Sequence, residues 1–193
     1  MTTVGPRQRL LTSAAVLMCE RGVHATGVAE LLAHSGTARG SLYQYFPGGK
    51  TELMEATTRW AGSVIGDVFA ELLSGHDAAD AVTGMAGYWR RVLAESDYTR
   101  GCPVLAAAGA GPDEPALAAA AEEVFESWRR RFAARLVADG ADATSAEQLA
   151  SVCISTLEGA IAQARAARDT AALDAAGAVL APLCRAAVRT SVT

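Results

Sequence analysis

Between residues 26 and 50 two apolar helical repeats are separated by almost nothing: "GVAELLAHSG" stops at Gly36, and "TARGSLYQYFPGGK" begins at once. A glycine directly after a helical run closes a helix in left-handed backbone, and Thr37 carries an oxygen able to cap the next one. Thr26 is placed to cap the first helix in the same way, with Val28, Leu31 and Leu32 on its apolar face. Pro47-Gly48-Gly49 then ends the second helix within about three turns. The segment reads as helix, tight turn, helix.

The same punctuation runs through the rest of the chain. Pro6 opens and Gly22 closes a first helix with Leu10, Ala14, Leu17 and Met18 at helical spacing. A longer helix should run from Lys50 to around Leu73, with Leu53, Met54, Thr57, Trp60, Ala61 and Val64 on one face. Further helices are expected near Asp77 to Ser96, briefly from Pro103, from Pro115 to about Ala138, from Ser145 to Arg168 and from Ala171 to Arg189. Asp169-Thr170 makes the last two an antiparallel hairpin. Alanine dominates the second half and strand-like runs are absent, so the fold class is all-α. The expected organisation is a three-helix head, residues 1–48, fused to a helical body, residues 49–193. The join falls inside the continuous stretch Gly48 to Lys50, so head and body should be mechanically coupled.

Stepping about 100 degrees per residue along the third helix puts Ala38, Leu42 and Phe46 on one stripe, which reads as core. Thr37, Gly40, Ser41 and Gln44 fall on the other side, flanked by Arg39 and Tyr43. Glycine on an exposed helix face lets a partner approach the backbone. In a helix-turn-helix the second helix enters the DNA major groove with its N-terminal residues at base edges. There Arg39 suits guanine O6 and N7, and Ser41 and Gln44 are shorter or more adaptable readers. Tyr43 and Tyr45 offer hydroxyls to backbone phosphates, and Lys50 suits the same task.

Charge permits this reading. The chain carries net charge -4. Residues 1–60 hold Arg7, Arg9, Arg21, Arg39, Lys50 and Arg59 against Glu20, Glu30, Glu52 and Glu55, roughly +2, which leaves about -6 for the remainder. A mildly basic head on an acidic body directs DNA contact to the head.

"GVAELLAHSGTARGSLYQYFPGGKTEL" resembles the DNA-binding signature of the TetR family of bacterial transcriptional regulators, over roughly residues 7–55. The resemblance implies an all-α homodimer whose two heads bind a palindromic operator, with a small-molecule pocket in the body. It also implies that Arg39, Gly40 and Ser41 face bases and that Tyr43, Tyr45, Lys50 and Thr26 contact phosphates, with Thr37 at the same turn. "FPGGK" at Phe46 to Lys50, "GCP" at Gly101 to Pro103 and "LEGAIAQARAARD" at Leu157 to Asp169 are similar to the LmrA/YxaF-like branch. That similarity implies a repressor of efflux or oxygenase genes, released by an aromatic, often flavonoid-like, effector.

In the body, Trp60, Phe69, Met85, Tyr88, Trp89, Phe125 and Trp128 hold most of the large side chains between the head and the last hairpin. They read either as ordinary core or as an apolar pocket, joined by Cys102 and with Tyr88, His76 or Arg100 orienting a ligand. The final hairpin is too apolar for a surface tail, so Leu149, Cys153, Leu157, Ile161, Leu180 and Leu183 are candidates for a dimer interface, with interior packing as the alternative.

Other function classes find little support. His24, His34 and His76 lie in no metal or nucleophile motif, "GAGP" near Gly109 lacks the setting of a phosphate loop, and neither an enzyme, a metal nor a cofactor is expected. Cys19, Cys102, Cys153 and Cys184 are widely spaced and read as reduced thiols rather than a disulfide frame or zinc site. "LLTSAAVLMC" after Arg7 and Arg9 imitates a signal peptide, but Thr12 and Ser13 interrupt it, Glu20 and Arg21 follow, and no small-x-small cleavage site is present. No other run looks long and clean enough to span a bilayer, so a cytoplasmic regulator is expected. Two rivals stay open: a helical small-molecule binding protein without DNA function, and a thiol redox sensor working through Cys102 or Cys153.

Overall fold

The computed structural model describes residues 4–190; residues 1–3 and 191–193 of the two expected domains lie outside it. Among the described residues the chain forms nine helices and no strand. They are α1 Pro6–Arg21, α2 Val28–Ser35, α3 Arg39–Tyr45, α4 Lys50–Gly75, α5 Ala78–Glu95, α6 Pro103–Ala108, α7 Pro115–Asp139, α8 Ala143–Ala167 and α9 Ala171–Thr190. Each expected helix is present, because Gly, Pro and Asp supply the caps. Pro6 and Pro103 occupy first turns, Gly36 closes α2 at φ 59, and Asp77 and Asp142 accept the Asp80 and Ser145 N–H at the starts of α5 and α8.

The chain divides into two compact units, one taking the residues up to Val64 with Cys102–Val124, the other Ile65–Gly101 with the chain from Phe125 onward. The expected division at 48/49 therefore falls inside the first unit. Long-range contacts explain why α6 and the start of α7 join the head. The carbonyl of Ala110 is bonded to the His24 ring, α1 packs on α6, and Arg59 pairs with Glu123 at 2.7 Å. Close approach of α4 and α7 needs glycine at 62, where an added Cβ would sit 2.5 Å from a Val124 methyl.

Within the first unit the core is built from Leu10, Leu11, Leu17 and Met18 of α1, Leu31 of α2, Leu42 and Phe46 at the end of α3, and Leu53 and Met54 of α4. Both threonines read as caps do something else. Thr26 is fully buried with its hydroxyl donating to the Gly22 carbonyl at 2.8 Å, and Gly27 stands at the N-cap of α2. Thr37 shares a 2.7 Å hydrogen bond with the Ser35 hydroxyl, and its N–H reaches the Leu32 carbonyl at 3.2 Å, so it finishes α2 rather than starting α3. The N-cap of α3 is Ala38, in extended backbone and exposed, which removes it from the expected core stripe and leaves α3 seven residues long. On α4, Val64 is exposed rather than part of the apolar face.

In the second unit α9 packs against α5 and α8. Gly177 faces α5, where a Cβ built on it would meet that of Ala86 at an ordinary contact distance of 3.6 Å. Asp139, at the end of α7, accepts the Ala78 N–H at 2.7 Å and pairs with Arg135, tying α7 to the start of α5. One expectation is corrected by α9: Ala171–Val188 is long and apolar enough, by length and composition, to cross a membrane. In this fold its Leu173, Ala176, Leu180, Ala181 and Cys184 are buried within a helical bundle, which gives that apolar stripe a protein partner.

Candidate nucleic-acid interface and effector cavity

The surface of α3 is set by what lies beneath it. Leu42 and Phe46, four residues apart, are almost wholly buried, each contributing on the order of 1.5–3 kcal/mol of burial free energy. The guanidinium of Arg7 lies 5.6 Å from the Phe46 ring centroid and covers it from α1. Gly49, in left-handed backbone at φ 71, donates its N–H to the Phe46 carbonyl at 2.8 Å, and the Gly48 N–H is taken by Glu52 in the first turn of α4 at 2.6 Å. This turn holds the end of α3 against the start of α4.

Anchored in this way, α3 turns Arg39, Gly40, Tyr43, Gln44 and Tyr45 to the outside, with Ser41 half-buried at the edge. Nothing lies within 4 Å of a Cβ built at Gly40. The Arg39 guanidinium sits 6.0 Å from the Tyr43 ring centroid, and that ring is also 3.4 Å from a Cβ built at Gly49. Lys50 is half-buried and donates to the His24 carbonyl at 3.5 Å, which places it beside the α1–α2 turn. Seven of the nine residues expected at DNA are thus on or beside one exposed face. Thr26 is the clear correction: with its hydroxyl buried on Gly22 it offers no side-chain donor to a phosphate. The Thr37 hydroxyl is engaged by Ser35.

In the second unit Phe69, Met85, Trp89 and Trp128 converge as expected, with Ile65, Ile154, Leu157 and Glu158, around a cavity of about 20 Å³. Tyr88 meets Trp89 edge-on at 5.3 Å, and Phe125 meets Trp128 edge-on at 5.7 Å. Three expected wall residues are elsewhere: Arg100 is exposed, and Trp60 and Cys102 belong to the other unit. His76 is exposed as well. The sequence reading missed Glu158, a carboxylate only 7% exposed in an otherwise apolar wall. Its signal was available: Ile154, Leu157, Glu158 and Ile161 occupy one helical stripe, and an acid within such a stripe is a buried polar group requiring an explanation.

The hairpin corrects the interface residues. Cys153, Leu157, Ile161 and Leu180 are buried within their own unit, Leu149 is half-buried, and Leu183 alone is exposed. The exposed large apolar side chains on α8 and α9 are Val152, Val179 at 60% exposure, and Leu183.

A short, anchored, cationic reading helix in a helix-turn-helix head, continued through α4 into a helical body, defines a helix-turn-helix transcriptional regulator. A sequence profile for the bacterial regulatory proteins of the tetR family matches residues 10–57, and one for the C-terminal domain of LmrA/YxaF-like transcriptional regulators matches residues 78–179. An HTH-type transcriptional regulator of Mycobacterium tuberculosis is 41% identical over 177 residues, covering 88% of this chain and 89% of that one. The HTH-type transcriptional regulator YxaF of Bacillus subtilis is 32% identical, covering 83% and 86%. A solved TetR transcriptional regulator from Legionella pneumophila superposes with a TM-score of 0.82 at 20% identity, covering 95% of this chain and 99% of that one. The chain belongs to the TetR family of transcriptional regulators, with a C-terminal domain of the LmrA/YxaF-like type. Members of that family are regulators rather than enzymes.

Proposed function

We propose that the protein is a ligand-responsive repressor that binds a palindromic operator as a homodimer in the cytoplasm. The observation that carries this reading is the outer face of α3, where Arg39, Gly40 and Gln44 stand exposed above the buried Leu42 and Phe46. Arg39 and Gln44 read base edges in the major groove, Gly40 admits the DNA to the helix backbone, and Tyr43, Tyr45 and Lys50 hold phosphates. Two copies meet through the outer faces of α8 and α9, where Val152, Val179 and Leu183 are exposed, and hold their α3 helices about 34–36 Å apart.

The effector enters where Phe69, Met85, Trp89 and Trp128 meet. A cavity of about 20 Å³ holds one water, whereas a drug-sized ligand needs roughly 300 Å³ or more, so these side chains must part to admit it. Glu158 gives that site a preference for aromatic molecules bearing a hydroxyl or another donor. Effector binding changes head spacing only through its differential affinity for the two body shapes, transmitted along α4. A gel-shift experiment on the DNA flanking the protein's own gene tests the reading. Wild type should bind, and Arg39→Ala with Tyr43→Ala should not; absence of binding by wild type would defeat it.

A further inference from the structure

The sulfurs of Cys153 on α8 and Cys184 on α9 lie 4.0 Å apart, both buried between helices that pack along their length. Cys184 also lines a surface groove of about 300 Å³, together with Asp77, Ala78, Ala79, Asp139, Arg185 and Val188. Cys184, itself almost wholly buried, is therefore beside a groove with room for a small oxidant. Contact with the Cys153 sulfur holds the Cys184 thiol below the ordinary range; burial and the carboxylates of Asp77 and Asp139 oppose that, and Arg185 supports it. The same contact and burial push the Cys153 thiol up.

We propose that Cys153 and Cys184 form a dithiol site that closes to a disulfide when a hydroperoxide reaches the groove. The Cys184 thiolate attacks one peroxide oxygen, the O–O bond breaks, and the departing hydroxide takes a proton to leave as water, giving a sulfenic acid on Cys184. The Cys153 sulfur then attacks Cys184, the S–O bond breaks, and the thiol proton leaves with the hydroxide as a second water. Both thiols are oxidised and one hydrogen peroxide is reduced. A disulfide needs the sulfurs to close from 4.0 Å to about 2.05 Å, a change within reach of side-chain rotation. The outer faces of the same two helices carry Val152, Val179 and Leu183, the surface assigned to dimerisation. The dithiol itself stands whether or not that assignment does.

The test uses the full-length protein, treated with hydrogen peroxide, blocked with an alkylating agent and digested with trypsin. Cys153 and Cys184 then fall in separate peptides, Leu136–Arg165 and Asp169–Arg185. The expected product is these two peptides joined, lighter by two hydrogens than their sum and separated by dithiothreitol. A Cys19→Ser, Cys102→Ser variant should form the same link, and Cys184→Ser should leave Cys153 alkylated. If both thiols stay alkylatable in the folded, peroxide-treated protein, or Cys184 advances to a sulfinic acid without the link, the proposal fails. Should Cys184→Ser not fold, the Cys19→Ser, Cys102→Ser variant decides alone.

Discussion

Gly40 and Arg39 stand side by side on α3 and do opposite things, one by having no side chain and the other by having a long charged one. A Cβ at Gly40 would meet nothing in the protein, and leucine is the better helix former, so Gly40→Leu should keep or slightly raise the melting temperature. The same variant should lose operator binding in a gel shift, because its side chain occupies the space that DNA needs. Arg39→Ala should weaken operator binding about 10- to 100-fold, the loss of about 1–3 kcal/mol expected of a bidentate base contact, with circular dichroism unchanged. Threonine marks where residue type misleads. Thr26 and Thr37 each had the oxygen for a cap, but the helices start one residue later, with Gly27 and Ala38 at the N-caps, and the two hydroxyls bond to the Gly22 carbonyl and the Ser35 hydroxyl. Glu158 was legible for the reverse reason: an acid inside an apolar stripe breaks the pattern in the sequence itself.

At the scale of elements, helix existence and order were readable throughout, because Pro, Gly and Asp at the ends of apolar repeats act locally. The face each helix turns inward was readable only where one side is polar. On α3 the polar side is plain, and the sequence separates Leu42 and Phe46 from Arg39 and Gln44 correctly. On α8 and α9 small and apolar residues go round much of the helix, so periodicity could not tell the side facing the chain's own bundle from the side left for a partner. Leu180 and Val179 are sequence neighbours with opposite fates, one buried and the other 60% exposed. If two copies meet there as proposed, replacing Val179 and Leu183 together by glutamate should give a monomer in sedimentation experiments while retaining helical content. Asp142 supplies a second element-scale prediction. Side-chain and backbone hydrogen bonds from Ser145 hold its carboxyl below the usual value. A depressed folded value means that this stabilisation is present above the unfolded pKa and is lost as pH falls through the folded one. Asp142→Ala should accordingly lower the melting temperature at neutral pH, and the difference from wild type should vanish in acid.

For the whole molecule, charge and continuity matter more than any single contact. A chain of net charge -4 can bind a polyanion only by presenting its basic head, so operator affinity should fall linearly with salt on logarithmic axes. With six to ten phosphates neutralised by a dimer, affinity should drop roughly 10³- to 10⁵-fold between about 50 and 200 mM salt. A flat salt response in fluorescence anisotropy would contradict DNA binding through this face. The helices α4 and α7 each contribute residues to both compact units. That partition was not readable, because the bond from His24 to Ala110 and the pair of Arg59 with Glu123 join residues far apart in the chain.

By itself the sequence determined the all-helical class, the order of the helices and which side of α3 faces outward, since caps, breakers and a one-sided polar pattern act over a few residues. Tertiary structure alone decided which of the apolar residues on α8 and α9 remain exposed and how far the aromatic cluster closes. It alone brought Cys153 and Cys184, thirty-one positions apart, within 4.0 Å. Those outcomes depend on how helices pack across long stretches of chain, and an alanine-rich stripe carries little record of which neighbour it will meet.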